Sequence, residues 1–197
     1  MKQGKVFIIC GPSGAGKGTL LSRILQDDPT LFFSVSATTR APREKEIAGV
    51  HYHFIEKEAF EEMIAAGELL EYAAYVGNYY GTPAPPVRQA LAEQRDVLLD
   101  IEIQGAGQIM SKYPDAIRIY IAPPSWEELE RRLVARNTET ANKIQSRLEQ
   151  GRVEFKSAGD FDYLIVNDDL ETAVYQFKAI LCAEHCKPAD AMDTVLL

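Results

Sequence analysis

Seven residues near the start of the chain, Gly11, Pro12, Ser13, Gly14, Ala15, Gly16 and Lys17, fit the pattern G-x-x-x-x-G-K. Glycines at those places let the backbone turn its N–H groups inward, and a helix that follows adds the partial positive charge of its N-terminus. The lysine then neutralises the outer phosphates of a nucleotide. The flanks are those the motif requires. Residues 5–10 form a continuous apolar run, and Leu20, Leu21, Ile24 and Leu25 recur at helical spacing. One position departs from the pattern: the hydroxyl residue that would follow the lysine and meet Mg²⁺ is Gly18, and the hydroxyl falls at Thr19. The expectation is a metal held through water, or through Thr19 or Asp100.

A second set of groups suits an anion. Ser36, Thr38 and Thr39 lie beside Arg40 and Arg43, two guanidiniums three residues apart in an otherwise acidic chain. Arginine forks match phosphate oxygens in bidentate fashion. Tyr52 and Tyr80 occupy flanking segments, where their hydroxyls would complete a cradle. Taken singly, the arginines read equally as a solvated loop and the tyrosines as packed aromatics; the combination favours a second phosphate site.

These groups need a scaffold, and 197 residues (22.0 kDa) supply one compact domain with room for an insert. Apolar residues at 46% and charged residues at 25% exclude the disordered, collagen-like and coiled-coil classes. A net charge of −8 provides no general field for a nucleic-acid backbone, so any bound anion is held by local groups. The apolar run near the N-terminus is too short to span a bilayer or to form a signal-peptide core, which leads to the expectation of a cytoplasmic protein with no membrane partner. Cys10, Cys182 and Cys186 lack the spacing of a disulfide framework or zinc knuckle, and His51, His53 and His185 lack partners at ligand spacing.

The pattern predicts strands over 5–10, 32–35, 69–76, 78–81, 97–103 and 117–122, with a last buried strand over 162–166. Helices are expected over 18–25, 57–66, 87–93, 107–113 and 170–186. Another should start at Ser125, with Glu128 completing a capping box. Residues 50–55 alternate with period two. The polar, turn-rich stretch 36–49 is expected to lie outside the core, and Pro83, Pro85 and Pro86 to punctuate the chain before the helix at 87. Residues 131–156 read as exposed helices broken at 136–138, with Arg131, Arg132 and Arg152 on solvated faces and Trp126 in packing. The tail beyond Pro188 is expected to fray. Strands alternating with helices give the fold class α/β, a mostly parallel sheet flanked by helices.

The runs GPSGAGK at 11–17, SATTRAPR at 36–43, GNYYGT at 77–82, LDIEIQG at 99–105, RNTET at 136–140 and IVND at 165–168 closely resemble guanylate kinases, in the family's order. The resemblance implies transfer of the γ-phosphate of ATP to GMP, giving ADP and GDP, with Mg²⁺. It also implies a P-loop core (1–35, 86–125 and 160–197), a small αβ GMP-binding insert (36–85) and a helical lid (126–159). By motif, Ser36, Arg40, Arg43, Tyr52, Glu71, Tyr80 and Thr82 would bind GMP, joined by Asp100 and Glu102. The ATP site would comprise 11–19 with Asn167 and Asp168 on the adenine side. Lys17, Arg43, Arg136 and Arg147 would be catalytic. Thr82 stands where some members have serine, and Glu102 where many have aspartate.

Under that resemblance Glu71 has a chemical rationale. Guanine offers two adjacent donors, N1–H and the N2 amine, and one carboxylate accepts from both; adenine presents an acceptor at N1. A site built to bond a substrate group rejects an analogue lacking it by ~10⁴-fold. The acceptor phosphate is already anionic at neutral pH, so no general base is needed, and catalysis reduces to positioning and charge stabilisation. Rival readings are a kinase for AMP, UMP or a sugar phosphate, and a noncatalytic guanylate-kinase-like domain that binds phosphorylated proteins. The retained P-loop lysine and arginines speak against the second. Whether the chain is a monomer or homodimer is left open by the sequence.

Overall fold

A computed structural model describes residues 4–43, 46–75, 77–135 and 141–188. Arg136, the helix break at 136–138 and the tail from 189 lie outside the described residues.

The first half of the chain gives β1 (Val6–Cys10), α1 (Lys17–Asp27), β2 (Phe32–Phe33), β3 (Ala37–Thr38), β4 (His53–Phe54), α2 (Lys57–Ala65), β5 (Leu69–Tyr75) and β6 (Asn78–Pro83). The second gives α3 (Ala84–Ala92), β7 (Val97–Asp100), α4 (Ile103–Lys112), β8 (Ile117–Ala122), α5 (Trp126–Ala135), α6 (Ala141–Phe155), β9 (Tyr163–Val166) and α7 (Leu170–His185). Five strands form a sheet in the order β2-β7-β1-β8-β9, with β2 parallel to β7 and β8 parallel to β9. The unbroken apolar run of β1 suits its central place, where both faces are buried. This is the expected α/β class. Within the chain, Ile9–Pro29 and the described part of Ile117–Leu197 make one compact unit, and Gly4–Ile8 with Thr30–Ala116 another.

In the first unit α7 buries Ala173, Val174, Phe177, Ile180 and Leu181, an amphipathic stripe. Arg23 reaches Glu171, and Lys178 reaches Asp27 at 2.7 Å, tying α1 to α7. Two expectations change here. The stretch 131–156 is not simply an exposed surface: Leu133 of α5 and Leu148 of α6 close a buried cluster with Leu129, flanked by Trp126 and Ile144. Charges dominate its composition, but leucines at helical spacing decide its packing. The strand at 162–166 is an edge, so Leu164 and Val166 remain 50% and 45% exposed while Ile165 is buried. The capping box is half formed. Ser125 Oγ accepts from the Glu128 N–H at 3.1 Å, but the Glu128 carboxylate is committed to Arg131 and Arg132.

In the second unit a four-stranded sheet runs β4-β3-β6-β5. Ala37, Phe60 and Leu69 form its core, and the Phe60 ring stacks on Tyr79 with centroids 5.3 Å apart. The stretch expected outside the core therefore enters it at Ala37 and Thr38. Ala37 and Thr38 are 1% and 0% exposed because β3 is paired on both sides, a two-residue strand too short to mark a polar loop. The alternation over 50–55 yields a strand only at His53–Phe54. Helix α3 starts at Ala84, with Pro85 and Pro86 inside its first turn, where a missing N–H breaks no helical bond. Strand β7 ends at Asp100 and α4 begins at Ile103, ahead of the expected 107, its glycines overridden by packing of Ala106 and Ile109.

Candidate active site

The glycine loop joins β1 to α1 as its sequence requires. Gly16 is the N-cap of α1 at φ 91°, a left-handed conformation that glycine adopts without strain, and a Cβ there would strike the Asn167 amide. The loop's carbonyls are taken by protein donors. Lys17 Nζ lies 2.5 Å from Gly11 O, the Ala15 N–H donates to Pro12 O at 3.1 Å, and the Leu20 N–H donates to Gly16 O at 3.1 Å. Asn167 Nδ2 donates to Ala15 O at 2.8 Å. In a trans peptide the N–H points opposite its carbonyl, so the N–H groups of Ser13, Gly16 and Lys17 face away from these donors. That is the disposition an anion-binding loop needs.

Two arginines of the same unit meet this loop. Arg147 Nη1 donates to Ser13 Oγ at 2.9 Å, which places one expected catalytic guanidinium against the phosphate loop. Arg132, read from sequence as solvated, is instead half-buried and bridges three groups. It donates through Nε to Glu128 Oε1 at 2.7 Å, through Nη1 to Ala15 O at 3.4 Å and through Nη2 to Asn167 O at 3.1 Å. Arg131, first, and Arg132 hold the Glu128 carboxyl down to about 2. Asn167 is buried beneath the loop, and Asp168 is exposed just past β9. Thr19 and Gly18 border a surface depression of about 420 Å³ with Ser22, Arg23, Gln26 and Leu170.

The arginine loop lies in the other unit. Its threonines are structural: Thr38 Oγ1 donates to Tyr79 O and the Tyr79 N–H donates to Thr39 Oγ1, each at 2.9 Å, fixing the loop to β6. Ser36 sits at the start of β3, half-buried. Arg40 lies 5.5 Å over the Tyr52 ring and 5.7 Å over Phe54, and Tyr52 meets Tyr80 edge to face at 5.9 Å. The two tyrosines, from segments flanking the arginine loop, thus form one cluster with Arg40. Burial, then the charge of Asp100, pushes the Tyr52 phenol up to about 12.

Glu46 is the residue that sequence reasoning missed. Arg40 donates Nη1 to Glu46 Oε2 and Nη2 to Oε1, both at 2.9 Å, and the Arg43 N–H adds a third bond at 2.8 Å. Burial alone would raise the Glu46 carboxyl, but Arg40 and the Arg43 amide bring it below the usual carboxylate range. The only signal in the sequence was an acid three residues after Arg43, one of two glutamates, Glu44 and Glu46, in a charged run. The Arg43 side chain is 59% exposed, so it is the more open of the two guanidiniums.

Glu71 on β5 is 5% exposed, and Thr82 Oγ1 on β6 donates to its Oε1 at 2.6 Å. Burial, opposed by the Thr82 bond, raises the Glu71 carboxyl above its ordinary value, with a further push from the charge of Glu102. A buried acid that feels the charge of Glu102 and is held by the hydroxyl and backbone of Thr82 suits a ligand that brings donors. Among the described residues no cluster of three or more His, Cys, Asp or Glu could hold a metal ion by itself. A small hard cation bound mainly by water and substrate phosphates still fits, because a Cβ at Gly18 would meet open space beside Thr19.

The family model described as guanylate kinase matches residues 3–184. A guanylate kinase of Carboxydothermus hydrogenoformans is 48% identical over 100% of this chain and 97% of its own length. One of Bacillus subtilis is 46% identical over 94% of this chain and 92% of its own. The crystal structure of guanylate kinase from Anaplasma phagocytophilum superposes with a TM-score of 0.80 at 31% identity, over 95% of this chain and 89% of that one.

Proposed function

Since this chain belongs to the guanylate kinase family and is a guanylate kinase, we propose that it transfers the γ-phosphate of ATP to GMP, releasing ADP and GDP. The observation that carries this reading is the buried Glu71 carboxylate, oriented by Thr82 and lacking the surface exposure of an ordinary strand acid. It accepts from guanine N1–H and N2, and Thr82 holds it in place. Ser36, Arg40, Arg43, Tyr52 and Tyr80 take the acceptor phosphate, with Arg40 braced by Glu46 and the more exposed Arg43 3.9 Å from the same carboxylate. Asp100 and Glu102 set the negative field beside them.

The donor phosphates lie in the loop from Gly11 to Thr19, with Asn167 supporting the loop from below and Asp168 at the adenine side. An acceptor phosphate oxygen forms the new bond to the γ-phosphorus as the bridging oxygen to the β-phosphate leaves with its electron pair on ADP. No proton moves in that step. Lys17, Arg43, Arg136 and Arg147 stabilise the charge on the moving group. Mg²⁺, when bound with ATP, neutralises the phosphate oxygens, and Thr19 and Asp100 are the residues proposed to meet its water shell. The division proposed for these tasks is a core at 1–35, 86–125 and 160–197, a GMP insert at 36–85 and a lid at 126–159.

The reading of a noncatalytic phosphoprotein-binding domain is not favoured, because the loop lysine and Arg147 are in place and engaged. Among the described residues no helix is long and apolar enough to cross a membrane. ATP and GMP as the partners, with neither nucleic acid nor membrane, and a cytoplasmic site complete the proposal. The test is ADP release from Mg-ATP with GMP, AMP, UMP and CMP offered separately. Turnover with GMP alone that disappears in Lys17→Ala supports it; no turnover with any monophosphate contradicts it.

A further inference from the structure

We propose that one face of α4, carrying Gly105, Gln108 and Lys112, is the element that positions the Glu71 carboxylate for guanine, an inference that rests on the guanine-reading role given to Glu71 above. The three residues stand at i, i+3 and i+7 and so share one side of the helix. Strand β5 is an edge of its sheet, and the backbone groups on its outer side have no neighbouring strand to pair with. Helix α4 supplies the partners. Gln108 Oε1 accepts from the Tyr72 N–H at 3.2 Å and Gln108 Nε2 donates to Tyr72 O at 2.8 Å, the two-way pairing a strand would provide. Lys112 Nζ donates to Leu69 O at 3.1 Å and to Leu70 O at 2.5 Å.

These contacts bracket Glu71 on both sides along the chain. They matter because the pairing of β5 with β6 shifts register between Leu69 and Glu71. A bulge re-aims the side chains next to it, so the ladder alone does not fix the direction of Glu71. Gly105 completes the seat: a Cβ there would lie 2.9 Å from Glu71 Cδ and overlap Oε2. Only a hydrogen at that position leaves room for the carboxylate. Lys112 also brings positive charge toward Glu71 and opposes the charge of Glu102.

The test uses steady-state kinetics of the full chain with GMP and with IMP, which lacks the N2 amine. Gln108→Leu removes both bonds to Tyr72 at similar size, Lys112→Met removes the ammonium, and Gly105→Ala fills the seat. Each is made alone and with Glu71→Gln. Each single substitution is expected to lower the GMP-to-IMP ratio of kcat/KM by about tenfold with KM for ATP unchanged. In the Glu71→Gln background the same substitutions should change that ratio by less than about twofold, since no carboxylate remains to be positioned. A wild-type ratio in the clamp variants, or equal losses in both backgrounds, overturns the proposal while leaving Glu71 as the reader of guanine. A wild-type ratio in Glu71→Gln alone overturns that role and the clamp with it. Should Gln108→Leu fail to fold by circular dichroism, Lys112→Met, which removes the bonds to the Leu69 and Leu70 carbonyls, decides the same question.

Discussion

The hydroxyl of Thr82 and the carboxylate of Glu71 meet at 2.6 Å across two adjacent strands, inside a region where the acid is 5% exposed. A charge so placed is poorly solvated, and its retention makes sense when a ligand brings the missing donors. Function and stability therefore oppose each other at Glu71.

Glu71→Gln should leave the free protein at least as stable as wild type at neutral pH. The folded carboxyl titrates above its unfolded value, chiefly through burial. The folded state thus binds the proton more tightly, and the ionised acid costs stability at pH above the folded value. That cost is relieved as pH falls through the folded value toward the unfolded one. Thermal melts should show the advantage of Glu71→Gln shrinking over that same descent. An advantage that grows as pH falls would contradict the assigned shift.

Thr82→Val keeps the shape of the side chain but removes the hydroxyl donor from Glu71 Oε1, leaving the carboxylate only the Thr82 backbone bond. Loss of a hydrogen bond to a buried charged acceptor costs about 1–3 kcal/mol, which denaturant titration would read directly. GMP affinity should fall with it, and Thr82→Ser should retain both properties. Equal stability of the valine and serine variants would remove the hydrogen bond from the account.

Lys17→Ala is expected to cut turnover by about 10²-fold or more while circular dichroism stays that of wild type, because the ammonium acts on charge that develops in transfer. A near-normal turnover number would place the donor phosphates elsewhere.

Asn167→Asp replaces the donor beneath the phosphate loop by a carboxylate facing the Ala15 carbonyl. Loss of the 2.8 Å bond together with repulsion at a buried position should raise KM for ATP well above that for GMP and lower the melting temperature. The reverse pattern, with GMP affected and ATP spared, would detach Asn167 from the donor site.

How far the chain could be read without its structure depended on how local each signal was. The phosphate loop was legible because its glycines, lysine and flanking apolar runs are contiguous. Tyr52 and Tyr80 lie in segments flanking the arginine loop and gather with Arg40, but Glu46 leaves no signal, since an acid among the charges of that loop has no pattern until Arg40 closes on it. Arg132 departs from its expected solvated face for a different reason: its partners, Ala15 and Asn167, are distant in sequence. Glu71 gained meaning only through the family resemblance, because a buried acid on a strand leaves no periodic trace. Strand β3 was hidden by its length, and the exposure of Leu164 and Val166 by the fact that edge and centre strands share one composition.

The most direct measurement is the ratio of kcat/KM for GMP to that for AMP, in wild type and in Glu71→Gln, with ATP saturating. The account predicts that the ratio falls by about 10²-fold or more, through loss with GMP, while KM for ATP stays constant. A ratio that survives the substitution would contradict the claim that this carboxylate reads the base.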